Sequence, residues 1–104
     1  MTANVGLTDE QLVTVETIFA RYNITRAVVF GSRAKGNYKP YSDVDIAIWG
    51  ALDRLDTERI KQDFEEENLV LDFDLLHYEQ INNTSLKMHI DRVGVVIYKC
   101  ALTK

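Results

Sequence analysis

The chain has one cysteine, Cys100, so no internal disulfide can form, and a reducing, cytoplasmic setting is expected. No apolar run approaches the roughly 18–20 residues that a membrane-spanning helix needs, so no membrane association is expected. The opening residues, MTANVGLTDEQ, carry neither a basic n-region nor an apolar h-region, which argues against a secretory leader. Positive charge is also scarce. Lys and Arg number 12 against 16 Asp and Glu, a net charge of −4, and only Arg33, Lys35 and Lys39 form a local basic group. A protein that neutralises many phosphates needs a basic patch, so direct nucleic-acid binding is not expected. Binding of a small phosphorylated ligand at that one group stays open. No repeat, low-complexity tract or linker interrupts the 104 residues, which suffice for one domain, 1–104, with one modest core. A composition of 46% hydrophobic and 27% charged residues is that of an ordinary soluble globule.

Hydrophobic periodicity and cap signals supply the elements. Thr8-Asp-Glu-Gln11 reads as a capping box, with Leu7 and Leu12 placed for a hydrophobic staple. Leu12, Val15, Phe19 and Tyr22 follow at helical spacing, which predicts a helix from about Asp9 to Tyr22. Arg26–Phe30 has the composition of a fully buried strand. Gly31–Ser42 is loop, with one helical turn near Ser32–Lys35 and turn chemistry at Gly36, Asn37 and Pro40. A strand at Asp43–Trp49, a helix at Leu52–Glu67 and a strand at Leu69–Leu76 come next. Asn83–Arg92 reads as a helix capped by Asn83 or Thr84, and Gly94–Lys99 is strand-like in composition. This order predicts an α/β (α+β) fold, a small mixed β-sheet with helices packed against it.

The acids in these strands need an explanation. Side chains alternate across a strand, so Val44, Ile46 and Ile48 share one face of Asp43–Trp49 while Asp43 and Asp45 share the other. In the 69–76 strand, Leu69, Leu71, Phe73 and Leu75 oppose Asp72 and Asp74. If the two strands lie close, up to four carboxylates converge and repel one another. Carboxylates at i and i+2 are roughly 7 Å apart along a strand, suited to flanking a divalent ion. A third from a neighbouring strand gives the oxygen-rich set that Mg²⁺ takes, with phosphate oxygens and water completing it. Acids on an exposed sheet face are also common without any function. Gly31-Ser32 tips the balance, because it directly follows a buried strand and its backbone N–H groups and the Ser32 hydroxyl suit a phosphate cradle. Gly31 and Gly36 form G-x-x-x-x-G, but Asn37 and Tyr38 follow where a Walker A loop needs Lys and Ser/Thr, and no G-x-G-x-x-G is present.

Gly31-Ser32, ten residues, then Asp43-Val44-Asp45 resembles the GS-x10-DxD signature of the DNA polymerase β-like nucleotidyltransferase superfamily. GSRAKG followed by SDVDIAI is similar to its minimal members, and so is the ending IDRVGVVIYK. The resemblance covers most of the chain after the first helix. It implies a minimal nucleotidyltransferase fold in which Asp43, Asp45 and Asp74 hold the metal, two Mg²⁺ ions, while Gly31 and Ser32 bind the triphosphate of ATP. Arg33 and Ser42 join the candidate nucleotide-binding residues, with a solvated loop position as the plainer reading of Arg33 and local turn bonding as the favoured reading of Ser42. Asp74 in FDLL matches the third carboxylate, and Asp72 is an extra acid beside it. Minimal members commonly act as the antitoxin of a module with a HEPN-domain ribonuclease toxin, so the resemblance also implies AMP transfer to a tyrosine of that toxin. A binding antitoxin without chemistry, and a small-molecule nucleotidyltransferase, are the alternatives. The roughly 30 residues after Asp74 are too few for an acceptor-binding domain of the usual size, so another chain is expected to present the acceptor.

Other residues have plainer readings beside functional ones. Lys35 is either a phosphate contact or a solvated loop residue. Tyr38 and Tyr41 either meet a base or partner, or only water. Trp49 reads as packing, His77 and His89 lack metal-ligand spacing, and Cys100 has no catalytic companion. Glu65-Glu66-Glu67 opposes the helix macrodipole at a C-terminus. It reads either as a solvated helix end or as a docking surface for a basic partner.

Overall fold

The computed structural model describes residues 5–67 and 69–100. The single domain expected over 1–104, and the absence of a leader expected at its start, therefore rest in part on residues outside those described. The capping box forms: Gln11 N–H donates to the Thr8 hydroxyl at 3.0 Å, and Thr8 N–H donates to the Gln11 side-chain carbonyl at 2.9 Å. From it runs α1, Asp9–Phe19. Then follow β1 (Ile24–Phe30), α2 (Ser32–Lys35), β2 (Val44–Gly50), α3 (Arg54–Glu67), β3 (Phe73–His77), a 3-10 turn (Tyr78–Gln80), α4 (Thr84–Val93) and β4 (Val95–Lys99). Asn83, not Thr84, caps α4, its side chain accepting from Leu86 N–H at 3.0 Å.

The four strands form one mixed sheet in the order β3-β2-β1-β4, with β2–β3 parallel and the other two pairs antiparallel. Helices α1 and α3 cover one face, where Leu12, Val15, Ile18, Phe19, Ile60 and Phe64 meet the inward side chains of the strands. Helix α4 covers the other through Ile90, against Val28, Phe30 and Ala47. Val44, Ile46 and Ile48 are fully buried on the first face. Burying each contributes about 1.5–3 kcal/mol, against about 1 kcal/mol for two like charges ~4 Å apart in water. The apolar face of β2 therefore holds the acids of the opposite face in place despite their repulsion.

Several boundaries differ from the sequence reading: β1 starts two residues earlier, at Ile24, β2 one later, at Val44, and α3 two later, at Arg54. Helix α1 stops at Phe19, and Arg21 and Tyr22 continue as i→i+3 turns, donating to the carbonyls of Ile18 and Phe19 at 3.0 and 3.1 Å. The strand expected over Leu69–Leu76 starts only at Phe73. Val70 interrupts the extended run with φ of 76°, a conformation that a β-branched residue rarely adopts. Leu69 and Leu71 nonetheless pack against the core, which is why they share the apolar alternation of a strand. Among the described residues no helix is long and apolar enough to cross a membrane.

Candidate active site

The parallel register of β2 and β3 places Val44 beside Phe73, Asp45 beside Asp74, and Ala47 beside Leu76. Neighbouring strands lie about 4.8 Å apart, so Asp45 and Asp74 are adjacent on the face opposite Ile46. Asp43 comes just before β2, and its carboxylate is near enough to act on that of Asp45. Burial first, then the Asp74 and Asp43 carboxylates, push the Asp45 carboxyl above its ordinary pKa. Asp72 precedes β3, is exposed like Asp74, and its main-chain carbonyl accepts from Val44 N–H at 2.9 Å. The register thus brings Asp43, Asp45 and Asp74 to one mouth of the sheet.

Strand β1 delivers the other side of that mouth. Phe30 pairs with Asp45 across the antiparallel ladder, and the chain turns at Gly31 into α2. Gly31 has φ of 76°, and a Cβ there would sit 2.5 Å from Asp45 Oδ2. Only glycine permits both the turn and that approach. Gly31 and Ser32 are half-buried, next to the acids.

Arg33 turns away from the mouth. It is 1% exposed, and its guanidinium donates through Nη1 to the Val5 carbonyl at 2.9 Å. Nε and Nη2 donate to the Ser42 carbonyl at 3.1 and 2.9 Å, and Nη2 also to the Pro40 carbonyl at 3.1 Å. The Tyr38 ring lies 4.8 Å from it. Through these bonds Arg33 ties the loop between α2 and β2 to the segment before α1. The carbonyl of Val5 is 28 residues away in sequence, so no local spacing signals this role. Ser42 likewise serves the loop, its hydroxyl accepting from Lys39 N–H at 2.9 Å. Lys35, Lys39 and Tyr41 are exposed around it.

The remaining candidates lie elsewhere. Trp49 stacks on Tyr78 with ring centroids 4.3 Å apart, beneath Arg26, at the opposite end of β2 from the acids. His77 Nε2 lies 3.0 Å from the Gly50 carbonyl and 3.1 Å from Glu79 Oε1, which also accepts from Gly50 N–H. His89 meets Phe30 edge-on at 6.4 Å. Sequence reasoning missed a cleft of about 480 Å³ beside the acids, lined by Lys61 and by residues of α3 and the 69–73 segment.

A four-stranded mixed sheet, with one acid at the start of a strand and another just before it, a third on its parallel neighbour and a Gly-Ser turn facing them, is the architecture of a nucleotidyltransferase. The chain belongs to the polymerase beta nucleotidyltransferase family, whose model matches residues 14–101. It is 39% identical over 98 residues to the probable protein adenylyltransferase MntA of Haemophilus influenzae, covering 91% of this chain and 85% of that protein. A chain in the crystal structure of a toxin–antitoxin with AMP-PNP superposes with a TM-score of 0.71 at 21% identity, over 86% of this chain and 74% of that one. A chain in the structure of the tri-AMPylated Shewanella oneidensis HEPN toxin in complex with its MNT antitoxin gives 0.59 at 20% identity, over 85% and 71%. At those identities the two solved structures speak for the fold.

Proposed function

We propose that this chain is an antitoxin that transfers AMP from ATP to a tyrosine hydroxyl of a HEPN-domain ribonuclease partner in the cytoplasm. The observation that carries the reading is the register that sets Asp74 beside Asp45, with the Asp43 carboxylate near enough to act on that of Asp45 and Gly31 against the Asp45 carboxylate. The resemblance to a protein adenylyltransferase favours a protein acceptor over a small molecule.

Asp43, Asp45 and Asp74 are the residues that would hold Mg²⁺. Burial and then the neighbouring carboxylates both disfavour an uncompensated charge on Asp45, and a divalent cation would offset it. Among the described residues no three His, Cys, Asp or Glu side chains are gathered into a ligand cluster. Mg²⁺ is usually held by one or two carboxylates plus substrate phosphates, which the adjacent Asp45 and Asp74 would supply in part. When bound, Mg²⁺ offsets the charge of the triphosphate and of the departing pyrophosphate. Gly31 and Ser32 receive the phosphates through backbone N–H groups and the Ser32 hydroxyl. The phenolic oxygen of the acceptor forms a bond to the α-phosphorus. The bond from that phosphorus to the oxygen bridging to the β-phosphate breaks, pyrophosphate leaves, and the phenol proton passes to the Asp74 carboxylate.

An Asp43→Ala/Asp45→Ala double variant tests whether chemistry is required. With ATP and Mg²⁺, the wild-type chain is expected to silence the ribonuclease encoded beside it, and the variant to leave it active. Full silencing by the variant would show that binding alone neutralises the partner.

A further inference from the structure

The cleft beside the acids has a definite position relative to the nucleotide site. In the strand order β3-β2-β1, Asp45 is central, with Gly31-Ser32 on the β1 side and the cleft on the β3 side. Phosphoryl transfer needs the attacking and leaving oxygens roughly in line, on opposite sides of the phosphorus. If the leaving pyrophosphate lies toward Gly31-Ser32, the attacking oxygen enters from the β3 side, through this cleft.

Its lining fits such an entrant. Phe64, Leu69, Leu71 and Phe73 supply the apolar part of a lining that is mostly polar, and Phe64 and Phe73 stack with centroids 4.7 Å apart. Asp43 and Asp74 are part of its lining. At about 480 Å³ it falls in the size class of small-ligand pockets, about 300–1,000 Å³. Val70 stands at its rim, 89% exposed and in a left-handed conformation. The charge of the rim decides the class of occupant. Glu65 and Asp72 line the cleft, Glu66 and Glu67 follow at the end of α3, and Lys61 is the one cation in the lining. Such a rim repels a polyphosphate and attracts a basic polypeptide.

We infer that this cleft is the acceptor channel, taking a tyrosine-bearing, positively charged segment of the partner protein. The segment docks on the acidic end of α3, and the phenol passes Leu71 and Phe73 to reach Asp74. This rests on the functional reading above and adds to it the route and the chemistry of the acceptor. It also gives a role to the three consecutive glutamates at the end of α3, whose position against the helix macrodipole costs stability.

The test compares initial rates of AMP transfer to the partner ribonuclease across four forms of the full chain. These are wild type, Glu65→Lys/Glu66→Lys, Val70→Trp at the exposed rim, and a control, Glu16→Lys/Glu58→Lys, with the same change in net charge on exposed sites elsewhere. The Glu65→Lys/Glu66→Lys pair is expected to raise KM for the partner at least about tenfold at low salt, with kcat and the calorimetric affinity for ATP–Mg²⁺ near wild type. Val70→Trp narrows the entrance and is expected to lower transfer about tenfold with ATP binding unchanged. The control is expected to match wild type. Equal KM in wild type and Glu65→Lys/Glu66→Lys overturns the channel, as does an equal loss in the control. Absence of transfer by the wild-type chain removes the functional reading itself, and the channel with it.

Discussion

Replacing Arg33 with Met isolates what its guanidinium does, because methionine fills much of the same space without the donors. Four hydrogen bonds run from that group to three carbonyls, those of Val5, Pro40 and Ser42. A hydrogen bond to a charged group contributes about 1.5–3 kcal/mol net, but bonds that share one donor group do not add simply. The Val5 bond is buried, so its carbonyl is left unpaired at a cost of about 1–3 kcal/mol, whereas the Pro40 and Ser42 bonds are partly accessible to replacement by water. The total expected for Arg33→Met is therefore about 3 kcal/mol. In a domain of this size 1 kcal/mol moves Tm by about 4–8 °C, so a fall of at least about 10 °C follows. Arg33→Lys keeps the charge and loses the planar fork, and should recover less than half. Urea melts followed by circular dichroism give the number, and calorimetry with ATP–Mg²⁺ should show weaker binding as the loop before Asp43 loosens. A loss below about 1 kcal/mol for Arg33→Met would refute the claim that these bonds fix the loop.

Three further outcomes follow from the same geometry. Gly31→Ala forces a Cβ toward Asp45 Oδ2 in a left-handed conformation, and should cost roughly 1–2 kcal/mol in a urea melt and abolish AMP transfer. Asp45→Asn removes one charge from the three-carboxylate mouth, so the metal-free chain should melt at a higher temperature than wild type, while the stabilisation that Mg²⁺ gives the wild type is lost in thermal scans. The Tyr22 phenol donates to Asp63 at 2.6 Å and is pushed up to about 12, by burial first and then by that carboxylate. A raised folded-state value means its contribution is complete below about pH 10 and fades as pH rises toward 12. Melting temperatures across that window should fall in wild type and stay flatter in Tyr22→Phe.

The fold was largely legible because each apolar pattern matched one element: the buried run of β1, the alternation of β2 and the capping box of α1 all read locally. The acids were legible for the same reason, since alternation put Asp43 and Asp45 on one face before any partner strand was known. Asp74 and Asp72 were harder to separate, because that depends on where the parallel register begins, and Val70 delays the strand to Phe73. The loop-tying bonds of Arg33 were not legible, because its partners are set by tertiary contact, one of them 28 residues away. The cleft could not be seen at all, since its walls come from α3 and from the loop that the sequence presents as a strand.

The most direct measurement is the intact mass of the partner ribonuclease after incubation with this chain, ATP and Mg²⁺. The account predicts one or more AMP-sized increments, located on a tyrosine and absent when Asp43→Ala/Asp45→Ala replaces the wild-type chain. An unmodified partner, in the presence of a chain shown by calorimetry to bind ATP–Mg²⁺, would contradict it.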